Sequence, residues 1–432
     1  MVDATTNPTN TGLTTADGKP LKAALAHAQA RSRRRAFLLV LPLLLFIVIT
    51  FIVPIGQMLK RSVYNEGFTV QKNLATGEKT PIMVNLAKWF DENPAGTEPD
   101  ETAYAALVED LKALKEVRAA GQAGTRINYE LPGSRSLFTQ GARKAKKLQP
   151  PFKDTLIELN PKWGNPKLWQ VMRSASSNFT GTFFLAATDR TRDADGNIMS
   201  VDEDHQIYLK LFGRTFILSV LITVLTLILA YPIAHLLATL PLRYSNLLMI
   251  FVLLPFWTSL LVRTTSWMIL LQSQGVLNDA MVAMGLIGND NRIQMMYNKI
   301  GTVVAMTHIL LPFMVLPLYS VMRPINPSYV RAARSLGATS WTAFRRIYFP
   351  QTVPGIAAGG LLVFILAVGY YITPALVGGS DGTLISNLIA FHMQKSLNWS
   401  MAAALASLLL GGILILYWLY DRLVGIDNLK LG

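Results

Sequence analysis

The sequence contains no cysteine, which excludes disulfide bonds, thiol chemistry and thiolate metal sites. No two of its histidines have the spacing of metal ligands, so we predict no metal site; the histidines are His27, His205, His235, His308 and His392. Charged residues make up only 15% of the chain, whereas a soluble domain has about a quarter. This shortage of charge favours a membrane protein.

Acidic residues are nearly missing from the second half of the chain. After residue 211 the sequence has only Asp279, Asp290, Asp381, Asp421 and Asp427, all predicted to lie outside a bilayer core. A carrier coupled to protons or sodium usually needs ionisable groups along its path. The sequence also lacks the phosphate-binding loop G-x-x-x-x-G-K-[ST] and any recognisable nucleophile–base arrangement. We therefore expect no catalytic residue and no bound cofactor, and an energy source in another protein.

Long apolar runs are abundant, and six of them can cover the roughly 20 residues that a helix needs to cross the hydrocarbon core. Barrel strands of about ten alternating residues do not fit runs of this kind. The sequence therefore predicts an all-α membrane protein whose six spanning helices lie at residues 36–59, 215–242, 244–271, 300–322, 347–380 and 396–420.

Basic residues beside these runs predict the orientation. Arg31 and Arg33 to Arg35 directly precede the first run, which places the N-terminus in the cytoplasm. The run is long and lacks a small-residue cleavage site at a plausible distance, so residues 36–59 are expected to be an anchor rather than a removed signal peptide. Residues 60–210 then form a soluble insertion outside the membrane, and segment 323–351, with five arginines and no acid, lies inside. The net charge of +14 sits mainly beside spans, which argues against nucleic acid and for contact with membrane lipid.

The parts outside the spans differ in expected order. Residues 1–30 are predicted to be cytoplasmic and without fixed structure, because the first 20 are rich in Thr, Asn and Gly. The insertion is long enough for a small domain. Within it, residues 101–120 predict a helix whose apolar stripe packs in a core; the stripe is Tyr104, Leu107, Val108, Leu111, Leu114 and Val117.

Segment 323–351 reads as two short helices. Pro327 suits a helix start at Asn326 to Ser328, and Gly337 permits a left-handed turn after the first helix. A second helix follows and is expected to end at Pro350 and Pro354, before the next span. Two interpretations are open from the residues alone: a docking surface for another protein, with Phe344, Ile347 and Tyr348 as apolar anchors, or a connector lying on the membrane.

The spacing in this segment resembles the "EAA" signature of permease subunits of bacterial binding-protein-dependent ABC importers. Ala332 and Ala333, then Gly337, Ile347 and Pro350, match that pattern, whereas Arg331 stands at its Glu position and Phe349 at its Leu position. Further stretches at 254–278, 308–322 and 350–360 resemble the first permease of spermidine/putrescine importers. The resemblance covers 208–425 closely and 30–59 loosely. It does not extend to 60–210.

The resemblance implies a type I ABC importer permease: a core at 211–425 with five spans after the first, and an insertion between helices 1 and 2. It implies two copies of an ATP-binding subunit, a second homologous permease and a periplasmic solute-binding protein as partners. We call 323–351 the coupling segment, since the resemblance implies that it docks in the ATPase. Its expected contact residues are Arg331, Ala332, Ala333, Gly337, Ala338, Phe344, Ile347 and Pro350.

Aromatic residues are the candidates for contact with a solute. With no carboxylate in the spans, a polyamine such as spermidine or putrescine would meet the aromatic faces of Trp257, Trp267, Tyr370 and Tyr371, although packing or interface roles fit these residues as well. Arg263 either extends to the outer interface or faces the path and favours anionic or zwitterionic cargo. The prolines Pro312, Pro317 and Pro374 predict bent helices, which often line transport paths.

The expected function is therefore that of a permease subunit in the bacterial inner membrane, which carries a small organic solute and performs no covalent chemistry. A polyamine is the first expectation for the solute, and an opine, an amino acid derivative or a betaine is the alternative. Two other classes are weaker. A membrane-anchored sensor would need an output domain after Tyr420, and a stand-alone carrier would need membrane carboxylates.

Overall fold

The computed structural model describes residues 21–65, 67–72, 79–94, 96–193 and 196–424. Residues 1–20, for which the sequence predicts no fixed structure, lie outside this part. Contacts divide the chain into two units, Met1–Lys60 and Arg61–Gly432.

The described residues are mostly helical. The α-helices are α1 (Leu21–Ile47), α2 (Val53–Val63), α3 (Val84–Glu92), α4 (Glu101–Glu116), α5 (Ala120–Asn128), α6 (Ser134–Lys144), α7 (Phe152–Leu159), α8 (Pro166–Ser176), α9 (Thr182–Ala187), α10 (Tyr208–Thr239), α11 (Leu242–Leu253), α12 (Leu260–Leu271), α13 (Val276–Ala283), α14 (Lys299–Met322), α15 (Ser328–Ser335), α16 (Ser340–Ala343), α17 (Phe349–Gly369), α18 (Ile372–Val377), α19 (Ile385–Gln394) and α20 (Trp399–Val424). Two antiparallel hairpins pair β1 (Val70–Lys72) with β2 (Lys79–Pro81) and β3 (Arg190–Arg192) with β4 (Ile198–Ser200).

The first unit is helical from Leu21, so residues 21–30 are helical where the sequence predicted no fixed structure. The stretch from Leu21 is rich in Ala, Leu, Lys and Arg, which are good helix formers, and the apolar run continues the same helix. A π turn at Val48–Ile52 joins α1 to α2 without a break. The apolar helix Gln29–Val63 is thus longer than the predicted span at 36–59.

The insertion folds around an apolar core built by α3 to α8. Tyr104, Leu107, Val108, Leu111 and Leu114 of α4 are buried in it, which confirms the helical stripe. Val117 is the exception and is 39% exposed. The helix ends at Glu116 because Arg118 adopts a left-handed backbone (φ 56°) and redirects the chain.

Asp110 holds the start of α3 within this core. Its carboxylate accepts from the backbone N–H groups of Asn85 (3.1 Å) and Leu86 (2.8 Å) and from the Asn85 side chain (2.9 Å). Burial raises the pKa of Asp110, and these hydrogen bonds, which favour the ionised form, oppose that rise.

Two buried charges connect the insertion to the long helices that follow it. Asp189 accepts from the N–H groups of Ile207, Tyr208 and Leu209 and so satisfies the first turn of α10. Arg126 pairs with Glu130 at 2.6 Å and lies over the ring of Phe183 at 5.0 Å. Phe183 belongs to α9, which packs in one apolar cluster with α20. The insertion is therefore packed against α20 and fixed to the first turn of α10.

The remaining long helices form a bundle centred on α10, α14 and α17. Close approach of α17 to α14 depends on Gly355 and Gly359. A Cβ at Gly355 would lie 3.2 Å from the Leu318 Cα, and one at Gly359 would lie 2.7 Å from the Met314 Sδ. The pair is spaced as G-x-x-x-G, a pattern that lets helices pack closely in membranes. Pro312 and Pro317 both lie inside α14, as predicted.

Five helices in the described residues are long and apolar enough to cross a membrane, and a bent pair makes a sixth. The predicted span 244–271 is that pair: Leu242–Trp257 and Leu260–Ala283 meet at 97°. Pro255 has no N–H to continue the helix, and Thr258 and Ser259 are extended (ψ 147° and 150°). The mostly helical chain and its apolar helices fit the all-α fold of a type I permease.

The predicted span 347–380 also differs in the structure. It begins earlier, because Ser340–Gly369 is one continuous helix, and Pro350 and Pro354 do not end it. Pro350 follows directly after a π turn at Phe344–Tyr348, and this wider turn accommodates a residue without an N–H inside the continuous helix. The helix ends at Gly369, and Pro374 lies in the separate short helix α18.

Candidate functional site

The coupling segment has the two-helix form that the sequence predicted. Helix α15 starts at Ser328 directly after Pro327, and Gly337 takes a left-handed backbone (φ 90°) that turns the chain towards α16. The Thr339 hydroxyl then accepts from the N–H of Thr342 at 3.2 Å and caps the second helix. These local signals explain why two short helices form here.

The exposed apolar residues of this segment are mostly ones that the sequence analysis missed. Leu336, at the turn, is 89% exposed, and Tyr329 and Trp341 are also exposed. The position of Leu336 directly before Gly337 was the available signal, because a side chain at the tip of a turn has few neighbours. Of the predicted contact residues, those exposed are Arg331, Ala332, Gly337 and Pro350, and those half-buried are Ala333, Ala338 and Ile347.

Phe344 and Tyr348, two of the apolar anchors suggested by the sequence, face the bundle. Phe344 contacts the rings of Tyr231, Trp341 and Tyr348. Tyr348 is buried, and its hydroxyl lies 2.9 Å from Nδ1 of His235 on α10. Because the helix continues through Pro350, the side that carries Phe344 and Tyr348 points into the bundle. Phe344 and Tyr348 therefore connect the coupling segment to α10.

Arginines differ sharply in their surroundings along this segment. Arg323 donates to the carbonyls of Ala238 (2.6 Å) and Leu240 (3.0 Å), and so satisfies the end of α10. Arg331, by contrast, is exposed and has no ion pair with any described residue. The coupling segment is thus fixed to α10 on one side and carries an unpaired charge on the other.

A second group of side chains forms where the bent helices meet α14. The indole Nε1 of Trp267 on α12 donates to Nδ1 of His308 on α14 at 3.1 Å, with ring centroids 5.2 Å apart. Arg263 lies one turn before Trp267 on α12. The hydroxyl of Thr264, next to Arg263, lies 3.2 Å from the hydroxyl of Thr373, three residues after Tyr370. We call Arg263, Trp267, His308 and Tyr370 the Arg263 cluster. His308 was not among the predicted path residues.

Arg263 is half-buried, and its Nε is buried without a hydrogen-bond partner among the described residues. The chain bends by 97° before Arg263, so the depth of this residue does not follow from its position along one straight helix. His308 lies nine residues into α14, roughly 14 Å from the Lys299 end and 21 Å from the other. The cluster is therefore well inside the length of a spanning helix rather than at its boundary.

Side-chain hydrogen bonds satisfy the backbone carbonyls where the chain leaves α17, at Tyr370 of the Arg263 cluster and at Tyr371. Pro374 cannot donate to the carbonyl of Tyr370, which instead accepts from the Ser386 hydroxyl at 2.6 Å. The Tyr371 carbonyl accepts from the Asn387 side chain at 2.7 Å. The side chain of Tyr371 is exposed, and Trp257 is 81% exposed.

In the described ranges, no three side chains among His, Asp and Glu come together as a possible metal site. What the Arg263 cluster offers is a positive charge, N–H and O–H donors and aromatic faces. What the coupling segment offers is an exposed surface of leucine, aromatic and arginine side chains.

Comparison with known proteins gives three findings. Residues 215–425 match the family model of the binding-protein-dependent transport system inner membrane component. The chain is 35% identical over 221 residues to the spermidine/putrescine transport system permease protein PotB of Escherichia coli (strain K12), over 50% of this chain and 80% of that one. PotB of Salmonella typhimurium (strain SL1344) is also 35% identical, over 50% of this chain and 76% of its own. The solved structure of a bacterial ABC transporter that imports the acidic polysaccharide alginate is similar at 18% identity and TM-score 0.43, over 52% of this chain and 80% of that one.

Proposed function

Because the chain belongs to the family of binding-protein-dependent transport system inner membrane components, we propose that it is the permease subunit of an ABC importer for a polyamine-type solute. The protein is a multi-pass component of the inner membrane, and its relatives are transport permeases rather than enzymes. In the proposed cycle, ATP closes a pair of ATPase subunits, the coupling segment moves with them, and the bundle opens outward.

The coupling segment is the observation that carries this proposal. Leu336 and Trp341 expose apolar surface at a polar turn, which supports contact with another protein there. The inward side of the same segment contacts α10 through Phe344, Tyr348 and Arg323. A force applied to Trp341 from outside the subunit would therefore reach α10 through the contacts of Trp341 with Phe344 and of Phe344 with Tyr231.

The proposed orientation places the N-terminus and the coupling segment in the cytoplasm. The arginines before the first apolar helix support this side for the N-terminus. If the bent pair counts as one span, four crossings precede the coupling segment and bring it to the same side as the N-terminus, where its five arginines also favour the cytoplasm. The insertion then lies in the periplasm.

The proposed partners are two ATP-binding subunits, a second homologous permease and a periplasmic solute-binding protein. ATP is bound by the ATPase subunits, and this chain has no cofactor of its own. An open stripe along α14, which includes Ile300, His308 and Leu316, supports a second permease, because other faces of that helix are buried within this subunit. The insertion, packed against α20, is positioned to meet the binding protein.

A polyamine such as spermidine or putrescine is the proposed solute class, supported by what the PotB relatives are named for. The aromatic faces of Trp267 and Tyr370 could hold an amine by cation–π contact. An opine, an amino acid derivative or a betaine is the second candidate, and Arg263 favours it, because a fixed positive charge repels a dication.

Co-purification tests the class of machine. The tagged protein, extracted from its native membranes in mild detergent, is expected to bring down an ATPase subunit and a second six-span permease. In the reconstituted complex, loaded binding protein is expected to stimulate ATP hydrolysis. A wild-type protein that purifies without any ATPase refutes the proposal. Removing residues 70–200 and repeating the stimulation assay tests the insertion: unchanged stimulation excludes its role in docking the binding protein.

A further inference from the structure

Arg263 is an unusual residue at its position, because it is a charge within the spanning region that no neighbouring acid neutralises. Among the described residues it forms no ion pair and its buried Nε has no partner. Asp279 on the neighbouring helix α13 is already paired with Arg292 at 2.7 Å. Charges kept inside a membrane protein usually mark a ligand path or an ion path.

His308 adds a second donor beside Arg263. Because its Nδ1 accepts the hydrogen bond of the Trp267 indole, the ring proton of the neutral imidazole is on Nε2, which is left as an N–H donor. His308 is exposed although Thr307 and Ile309 on either side are buried, so it lies on the open stripe of α14. The donors of the cluster are therefore accessible from the side of the subunit that α10 and α17 do not cover.

The donors in the cluster are matched to an anion rather than to a cation. A guanidinium and an imidazole N–H can both donate to carboxylate oxygens, and the Trp267 ring leaves an apolar and π face beside them. No acidic residue occurs in the α14 or α17 sequences that could bind a second ammonium group. A solute with two amines leaves the guanidinium unpaired and is repelled by it.

We infer that the Arg263 cluster binds a carboxylate group of the transported solute, so that the cargo carries both an amine and a carboxylate. This inference rests on the proposed importer function and, of the two solute candidates given there, selects a solute of the amino acid derivative type over the polyamine. The amine lies against the aromatic faces, and the carboxylate receives the donors of Arg263 and His308. Charge-assisted hydrogen bonds of this kind change affinity by about tenfold to a hundredfold.

Two probes of matched length test the inference. Putrescine and 4-aminobutanoate have chains of equal atom count and differ at one end, which is an amine in the first and a carboxylate in the second. Equilibrium binding of each radiolabelled probe is measured on the complete permease–ATPase complex in nanodiscs, with hydrolysis blocked. The wild type is expected to bind 4-aminobutanoate at least about tenfold more tightly than putrescine.

Substitutions assign the effect to the cluster. Arg263→Gln is expected to lose about tenfold to a hundredfold in affinity for 4-aminobutanoate, with putrescine binding unchanged or tighter, and Arg263→Lys is expected to lose less. Arg243→Gln, which removes an exposed arginine from the turn at the start of α11, is the matched control and should leave both affinities unchanged.

The outcomes separate the two proposals. Co-purification of the ATPase subunit with both Arg263 variants shows that they assemble. The inference is overturned if putrescine binds as tightly as 4-aminobutanoate, if neither probe binds, or if Arg263→Gln leaves 4-aminobutanoate binding intact. In each of these cases the importer proposal survives as long as the wild type carries its ATPase.

Discussion

Substitution of Leu336 tests directly whether the coupling segment docks on the ATPase subunit. The side chain is 89% exposed, so almost all of its apolar surface is available to a partner. Truncation to alanine removes three carbon atoms, and at about 0.8 kcal/mol for each buried methylene the lost contact is worth about 2 kcal/mol. We therefore expect Leu336→Ala to weaken binding of the ATPase subunit about 30-fold.

Because Leu336 is exposed, an effect of its substitution on docking can be distinguished from an effect on folding stability. A substitution at an exposed turn usually changes stability by less than about 0.5 kcal/mol, so the melting temperature of the variant should match that of the wild type. The assay is titration of the purified ATPase subunit onto the immobilised permease in nanodiscs. Leu286→Ala is the matched control, since Leu286 is also an exposed leucine but lies in the loop after α13, away from the coupling segment. Wild-type affinity in Leu336→Ala would refute the docking role of the turn.

Three further predictions concern charge, coupling and pH. Arg331→Glu reverses an exposed charge that has no ion pair among the described residues. It should weaken binding of the ATPase subunit about tenfold at low salt and less at high salt. Arg243→Glu serves as control, and an equal loss in both variants would indicate a non-specific effect of charge rather than a contact of Arg331. Tyr348→Phe removes the hydroxyl that lies 2.9 Å from His235. The variant should still bind the ATPase subunit, but loaded binding protein should stimulate its ATP hydrolysis less. Full stimulation would show that this contact does not connect the coupling segment to α10 functionally. Burial raises the pKa of Asp110, so the folded state holds the carboxyl proton more tightly than the unfolded state does. The group therefore contributes most stability below its ordinary pKa, and this contribution is lost as pH rises through the raised pKa. Thermal unfolding should show that the stability of the wild type relative to Asp110→Asn falls as pH rises, and a rise would contradict the assignment.

The coupling segment shows how far local signals reach. Pro327, Gly337 and the helix formers between them act within one or two turns of chain, and the predicted helix–turn–helix is confirmed there. The end of the second helix was predicted wrongly, because a π turn at Phe344–Tyr348 allows the helix to continue through Pro350. Such a turn has no reliable sequence signature, and it decides that Phe344 and Tyr348 face the bundle.

The Arg263 cluster shows the opposite case. Arg263, Trp267 and Tyr370 could be selected as candidates from residue type, but His308 could not, because 41 residues separate it from Trp267. The bend of 97° between α11 and α12 brings α12 against α14 and changes the depth of Arg263. Sequence spacing measures distance only along a straight helix, so it fails at such a bend.

The sequence by itself determined the membrane class, the apolar runs and the permease family, because hydropathy, residue spacing and composition are properties of the chain read in order. Only the tertiary structure decided which side chains of the coupling segment are exposed, how the insertion is fixed to α10 and α20, and that an arginine and a histidine from different helices lie together. These features depend on contacts between residues far apart in the chain, and each contact depends on backbone breaks whose angles the local sequence does not fix.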